Sequence, residues 1–368
     1  MNRFHHVPAL PIASALVAAL LLTTTYAAPA QQQQPRLKVG ALHVGSINDN
    51  GYNQAMHDGL VEMQANIPGI EVIEAENVPE SADAERVMEN MIQQGAKLVF
   101  PQSFGYLDPA LNVAKRHPDV TFEHPAGYKL AGNLGTFWSD TTDWEYLAGI
   151  IAGKNTQTNK LGWVIGFPIP NILTAINAFH LGARSVNPGV TTQVIVVNTW
   201  VDAAKEAEAV NALADSGVDV VTMIVDSPAP VVQTAERRGI MSIGFHCLCA
   251  QSAAGENWLT GIGFTWGPLF TKFATDVINQ RWKSENVVGN LATGSATFAP
   301  YGPRVSDDTK QLVELRKADL IAGTLQVFQG PIYDNAGNLR VAAGESLSGD
   351  DLLTNADWVV EGVSGQLN

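Results

Sequence analysis

Between residues 37 and 282, short apolar runs alternate with amphipathic segments, and the alternation starts afresh at residue 161. A chain that repeats strand then helix must cross over its own sheet each time, so its strands run parallel and helices cover both faces. In the first block the strands are expected at 37–44, 97–101, 120–123 and 133–137. Helices are expected at 52–64, after Ser81, from Asp108-Pro109, and at 144–153. Ser81 can cap its helix, Asp83 and Glu85 suit the positive end of the first turn, and Gly95 can end it. Asp108-Pro109 offers an acceptor at the cap and a proline at the first helical position. The second block predicts strands at 161–166, 193–197, 218–225, 241–245 and 259–264. Its helices are expected at 172–182, after the cap Asp202, at 231–238 before Gly239, and in a final long stretch at 270–282. The blocks meet near 155–159; beyond Lys283 the pattern loosens, with a hairpin around Asp334-Asn335-Ala336-Gly337.

Residues 1–30 read as a cleavable secretory leader: Arg3, an apolar run over 7–22, then Ala28-Pro29-Ala30. The apolar run is too short for a membrane span. No cysteine stands near the cleavage site to carry a lipid, so the mature chain is expected free in the periplasm. Gln31 to Gln34 with Pro35 form a polar tether, and the body of about 340 residues suits two lobes better than one core. The lobes are expected at 31–158, completed by part of 266–320, and at 159–265, completed by part of 321–368. A net charge of −14 argues against a nucleic-acid partner, whose phosphates it would repel.

In open parallel sheets ligands bind beyond the carboxyl ends of the strands. The residues there are Asn48, Asp49, Tyr52 and Asn53, then Ser103 and Phe104, then Trp138. In the second block they are Phe167, Trp200, Asp226 and His246, with Trp266 opening the helix that follows. Tyr52, Phe104, Trp138, Phe167, Trp200 and Trp266 are six aromatics in equivalent places, two or three of which are expected to sandwich a flat ligand. Asp49 and Asp226 read as hydrogen-bond acceptors or turn caps rather than as a catalytic acid–base pair. No nucleophile elbow, zinc-protease helix or phosphate loop occurs, so no enzyme activity and no cofactor are expected. Two cysteines cannot form a disulfide framework; Cys247 and Cys249 read as small buried hydrophobes. Soft-metal ligation beside His246 and a Cys-x-Cys disulfide stand as alternatives, and no metal site is assigned. His43, His57, His117, His124 and His180 are scattered and carry no assignment.

Several runs stand out together: the segments 103–109 and 166–170, Asn177-Ala178-Phe179 with 181–188, the segment 226–230 and Thr265-Trp266-Gly267-Pro268. In combination they resemble the basic membrane protein family of substrate-binding proteins. The resemblance spans about 37–365 and implies a two-lobed periplasmic-binding-protein fold with ligand in the cleft between the lobes. It implies a monomeric, non-catalytic receptor of an ATP-driven importer, with a permease as partner and a purine nucleoside or nucleobase as ligand. It also implies a hinge of several crossings, with the segment after Ser284 shared between lobes. Tyr52 and Phe167 match the family's stacking aromatics, Asp226 an acceptor, and Ser103 and Phe104 the loop after the third strand. Nucleoside-binding relatives carry an aspartate where His246 stands here, and a lysine where Leu269 stands; Lys272 lies three residues on. Losing both partners of the ribose favours a free base. A sugar receptor, a nucleoside hydrolase and a ligand-sensing partner of a signalling protein are the competing readings.

Overall fold

The computed structural model describes residues 1–3, 36–348, 351–352 and 356–367. Residues 4–30 of the leader expected at 1–30, and the tether at 31–35, lie outside the described residues. In chain order the first elements are β1 (Leu37–His43), α1 (Tyr52–Asn66), β2 (Ile70–Ala75), α2 (Ala82–Gln93), β3 (Leu98–Gln102), α3 (Leu107–Arg116), β4 (Thr121–Pro125) and β5 (Leu134–Ser139). Next come α4 (Thr142–Asn155), β6 (Lys160–Ile165), α5 (Pro170–Val186), β7 (Thr191–Val196), α6 (Ala203–Asp215), β8 (Val220–Ile224), α7 (Ala229–Arg238), β9 (Met241–Gly244) and β10 (Trp258–Phe264). The last are α8 (Gly267–Ile278), β11 (Asn286–Gly289), β12 (Ala296–Phe298), α9 (Asp307–Ile321), β13 (Ile332–Tyr333), β14 (Leu339–Val341) and β15 (Val363–Gly365).

The strands form two main sheets, ordered β11-β5-β4-β3-β1-β2 and β12-β10-β9-β8-β6-β7-β15. Every pairing in the first sheet is parallel. In the second, only the β10–β12 pair is antiparallel. This is the doubly covered α/β architecture that the alternation predicts. The expected hairpin is present as the antiparallel pair β13–β14.

Local signals operate where expected. Ser81 accepts a hydrogen bond from the Asp83 amide, Asp202 accepts from Ala204 and Lys205, and Gly239 adopts the left-handed conformation after α7 (φ 68°). Asp108 is a correction: α3 begins one residue before it, so its carboxylate lies in the first turn and pairs with Lys129 Nζ at 3.0 Å. A second correction concerns the end of the chain, because the helix at 267–278 is not the last. The expectations also omitted β2, which closes one edge of the first sheet.

The boundary between the blocks also moves. By rhythm α4 looks like the closing helix of the first block, but it packs on α5, α9, β10 and β12, all attached to the second sheet. The chain therefore leaves the first sheet at 139–142, not at 155–159. It returns after Phe264, since α8 packs on α1, and crosses a third time between Gly289 and Ala296. Thus β11 completes the first sheet and β12 and β15 the second. The crossings are tied together: the Asp140 amide donates to Gly289 O (2.7 Å), Ser139 and Ser295 hydroxyls meet at 2.6 Å, and the Thr265 amide donates to Ser295 O (3.0 Å).

Helix α4 is buried on nearly every side, with Thr142 and all of 144–153 inside. It reaches α5 backbone to backbone. A Cβ on Gly149 would stand 1.9 Å from the Phe179 carbonyl oxygen, and one on Gly182 would stand 1.9 Å from that of Tyr146. Carbonyls fixed in helices cannot yield, so a methyl group must separate the helices. Gly149→Ala is expected to cost at least about 1–3 kcal/mol, read as a lower urea midpoint at unchanged slope; an unchanged midpoint would mean that the helices can slide apart freely.

Candidate functional site

Because the strands run parallel, the carboxyl ends of both sheets face one cleft. Tyr52 opens α1 after β1, Ser103 and Phe104 follow β3, and Trp138 lies near the end of β5. From the second sheet come Asn171 on the first turn of α5, Trp200 after β7, Asp226 after β8, and Phe245 and His246 after β9. Together with Asp140, Thr141 and Thr142 of the first crossing, these residues line one cavity.

The lobes touch at the rim of this cavity through backbone atoms. The Tyr52 amide donates to Asp226 O at 2.8 Å. A Cβ on Gly51 would lie 1.9 Å from that same oxygen, so only glycine permits the approach. Nearby, Ser252 Oγ donates to Asn50 Oδ1 at 3.2 Å, and the Tyr52 and His246 rings meet edge to face with centroids 5.2 Å apart.

The polar groups are buried and short of partners. Burial drives the Asp226 carboxyl well above the usual carboxylate range, and the charges of Asp49, Glu80 and Glu206 add to the effect. Its Oδ2 has no hydrogen-bond partner among the described residues. Both ring nitrogens of His246 are likewise buried without partners, and burial holds its pKa down at about 3, so the ring is neutral at physiological pH. His246 also sits at φ 71°, a left-handed conformation unusual for a residue with a side chain. Such orphaned groups around a cavity suit a ligand that brings its own donors and acceptors. Among the described residues no lysine or arginine lines the cavity.

Of the twelve residues expected at the site, seven line this cavity: Tyr52, Ser103, Phe104, Trp138, Trp200, Asp226 and His246. Ser103 spends its hydroxyl on Glu80 Oε1 at 2.5 Å. The other five stand elsewhere. Asp49 caps the start of α1, accepting from the amides of Gly51 (2.8 Å), Asn53 (3.1 Å) and Gln54 (3.1 Å). Asn53 is buried beneath it, its Oδ1 taking the Gly45 amide at 3.2 Å, and Asn48 is exposed. Phe167 lies against Trp200, ring centroids 4.8 Å apart, without lining the cavity. Trp266 is buried in an aromatic cluster behind Trp138, with centroids 6.1 Å apart. Sequence reasoning missed Asp140, Thr141 and Thr142, because a boundary placed at 155–159 hides that crossing. It also missed Asn171, whose only signal is its place after Ile169-Pro170 at a helix start, and Phe245, counted inside its strand.

The cysteines are a correction. Cys247 and Cys249 are joined by a disulfide, and no group of three or more candidate metal ligands occurs among the described residues.

The family model for ABC transporter substrate-binding proteins of the PnrA-like type matches residues 36–325. The chain belongs to this family. A purine-binding protein of Brucella abortus is 37% identical over 92% of this chain and 96% of its own length. A putative ABC transporter glucose-binding protein of Haloferax volcanii is 32% identical over 89% of this chain and 80% of its own. Among solved structures, a solute-binding protein of an ABC transporter system from Aeropyrum pernix superposes with a TM-score of 0.68 at 18% identity, covering 80% of this chain and 94% of that one. That likeness shows the fold: two covered parallel sheets joined by crossings. No helix among the described residues is long and apolar enough to cross a membrane.

For this PnrA-like protein the state of Asp226 has a measurable consequence. A carboxyl whose folded pKa is raised stabilises the fold fully below its unfolded pKa, and that contribution is lost as pH rises through the folded value. Asp226→Asn removes the charge and keeps the shape. The ligand-free variant should therefore match the wild type near pH 4 and exceed it at pH 8, by about 1–3 kcal/mol, in denaturant titrations at both pH values. An equal difference at the two pH values would mean that Asp226 is solvated.

Proposed function

We propose that this chain is the periplasmic receptor of an ATP-driven importer, that it binds a free nucleobase of purine type, and that its lobes close over the ligand. The observation that carries the reading is the cavity: aromatic walls, no lysine or arginine among the described residues that line it, and the unpartnered Asp226 Oδ2 and His246 ring nitrogens. A purine presents two π-faces and an edge of mixed donors and acceptors. A neutral imidazole and a protonated carboxyl each offer one donor and one acceptor to such an edge. The purine-binding relative from Brucella supports the same class. No catalytic role is proposed for any residue. The leader supports export, and the partner is a permease that recognises the closed form.

Preference for a base over its nucleoside rests on the missing ribose partners. Lys272 points to Asp276 (3.1 Å) and Glu285 (3.6 Å), and neither it nor Leu269 lines the cavity. Within this reading Tyr52, Trp138 and Trp200 supply the stacking faces, while Phe167 and Trp266 back Trp200 and Trp138. Asn48, Asp49 and Asn53 shape the turn that delivers Tyr52. Calorimetric titration of adenine and adenosine, guanine and guanosine should give the base more than about tenfold tighter binding, since the buried ribose hydroxyls would lack partners. Tyr52→Ala should weaken the base about ten- to a hundredfold. Equal or tighter nucleoside binding would defeat the preference, and tighter glucose binding would favour the sugar reading that the Haloferax relative's name suggests. Nucleoside recovered cleaved rather than intact would favour the hydrolase reading.

Closure has its own test. Gly51→Ala places a methyl group against Asp226 O and holds the rim apart. Affinity should fall about tenfold or more, with the melting temperature of the ligand-free protein nearly unchanged. Full affinity in that variant would show that the rim contact is dispensable.

A further inference from the structure

A second chamber adjoins the first. It shares Phe104, Ala126, Trp138, Ile169 and Asn171 with the ligand cavity. Its remaining walls are Gly127 and Tyr128 from the loop after β4, Pro170 at the start of α5, and Asn286 and Val288 on β11. Trp138 is held from behind by Phe264 (centroids 5.5 Å apart), so one wall of the passage is rigid. Phe104 and Tyr128 form a second aromatic wall, with centroids 6.1 Å apart.

The chamber is apolar in character. Asn286 Oδ1 accepts from Thr136 Oγ1 at 2.9 Å, no lysine or arginine is among the described residues that line the chamber, and Lys129 lies over the Tyr128 ring and pairs with Asp108 at 3.0 Å. A phosphate or sugar-phosphate tail would find no counter-charge here. A tail of hydrocarbon or aryl character would gain from leaving water. Tyr128 is 62% exposed and Phe104 37%, more solvent contact than rings of that size keep in a packed wall.

We infer that the natural ligand is a nucleobase bearing an apolar substituent, with the base in the inner cavity and the substituent passing between Phe104 and Trp138 into the chamber walled by Tyr128 and Val288. This rests on the nucleobase reading above, and the two are separable by experiment. Titrate adenine and its N6-, 8- and 9-benzyl derivatives against the full-length mature protein. At least one derivative should bind about tenfold or more tighter than adenine, from the apolar area covered. Tyr128→Ala, on an exposed side chain, and Val288→Phe, which fills the chamber, should each remove that gain and leave adenine affinity within about twofold. If adenine binds and no derivative binds tighter, or if the gain survives both variants, the inference is overturned while the nucleobase reading stands. If neither adenine nor any derivative binds, the nucleobase reading falls and the inference with it.

Discussion

One backbone hydrogen bond organises the ligand region: the Tyr52 amide to the carbonyl of Asp226, across the cleft. It joins the start of α1, after β1, to the turn after β8, and it forms because Gly51 carries no side chain to intervene. The same contact seals one side of the cavity and places the first turn of α1 against the loop that holds Asp226. Asp49 rigidifies that turn by taking three of its amides. An acidic residue at the start of a helix, expected to meet ligand, instead serves the helix that brings Tyr52 to the rim.

The hinge is the complement of this contact. Three passages of the chain join the sheets, and hydrogen bonds among Ser139, Asp140, Thr265, Gly289 and Ser295 tie them side by side. Bundled crossings favour a rotation of one lobe against the other over a loose tether, because each passage limits the others. The first passage contributes Asp140, Thr141 and Thr142 to the cavity wall, so the crossing and the cavity share residues. Helix α4 anchors that passage in the second lobe through its close packing on α5.

Desolvation sets the chemistry of the cavity. Asp226 Oδ2 and both His246 ring nitrogens are buried without hydrogen-bond partners among the described residues, and burial moves the two groups in opposite directions: the carboxyl upward, the imidazole down to about 3. Both are thereby biased toward their neutral forms, which present a donor and an acceptor apiece. The aromatic residues around them come in ranks, with Phe167 behind Trp200 and Trp266 behind Trp138, so the rings facing the cavity have little freedom to turn away.

Much of this was legible in the amino-acid order. The alternation of strand and helix determined two covered parallel sheets, and caps such as Ser81 and Asp202 marked where helices begin, because these are local effects read within a few residues. The strand-end rule brought seven of twelve expected residues onto one cavity, since a parallel sheet points all its strands the same way. What the pattern could not show is which sheet an element joins. Helix α4 follows β5 in rhythm yet lies in the second lobe, and only its burial on every side against α5, α9 and β10 decides that. Phe167 and Trp266 occupy strand ends or helix starts equivalent to those of Trp200 and Trp138, but each stands one layer further back. Depth from a cavity depends on side chains that other segments place in front. The joining of Cys247 to Cys249 and the orphaned nitrogens of His246 are likewise products of packing. Sequence determined the sheets and the rank of residues along their ends; tertiary structure decided which of those residues face the cavity, because burial belongs to the assembled whole and not to any one segment.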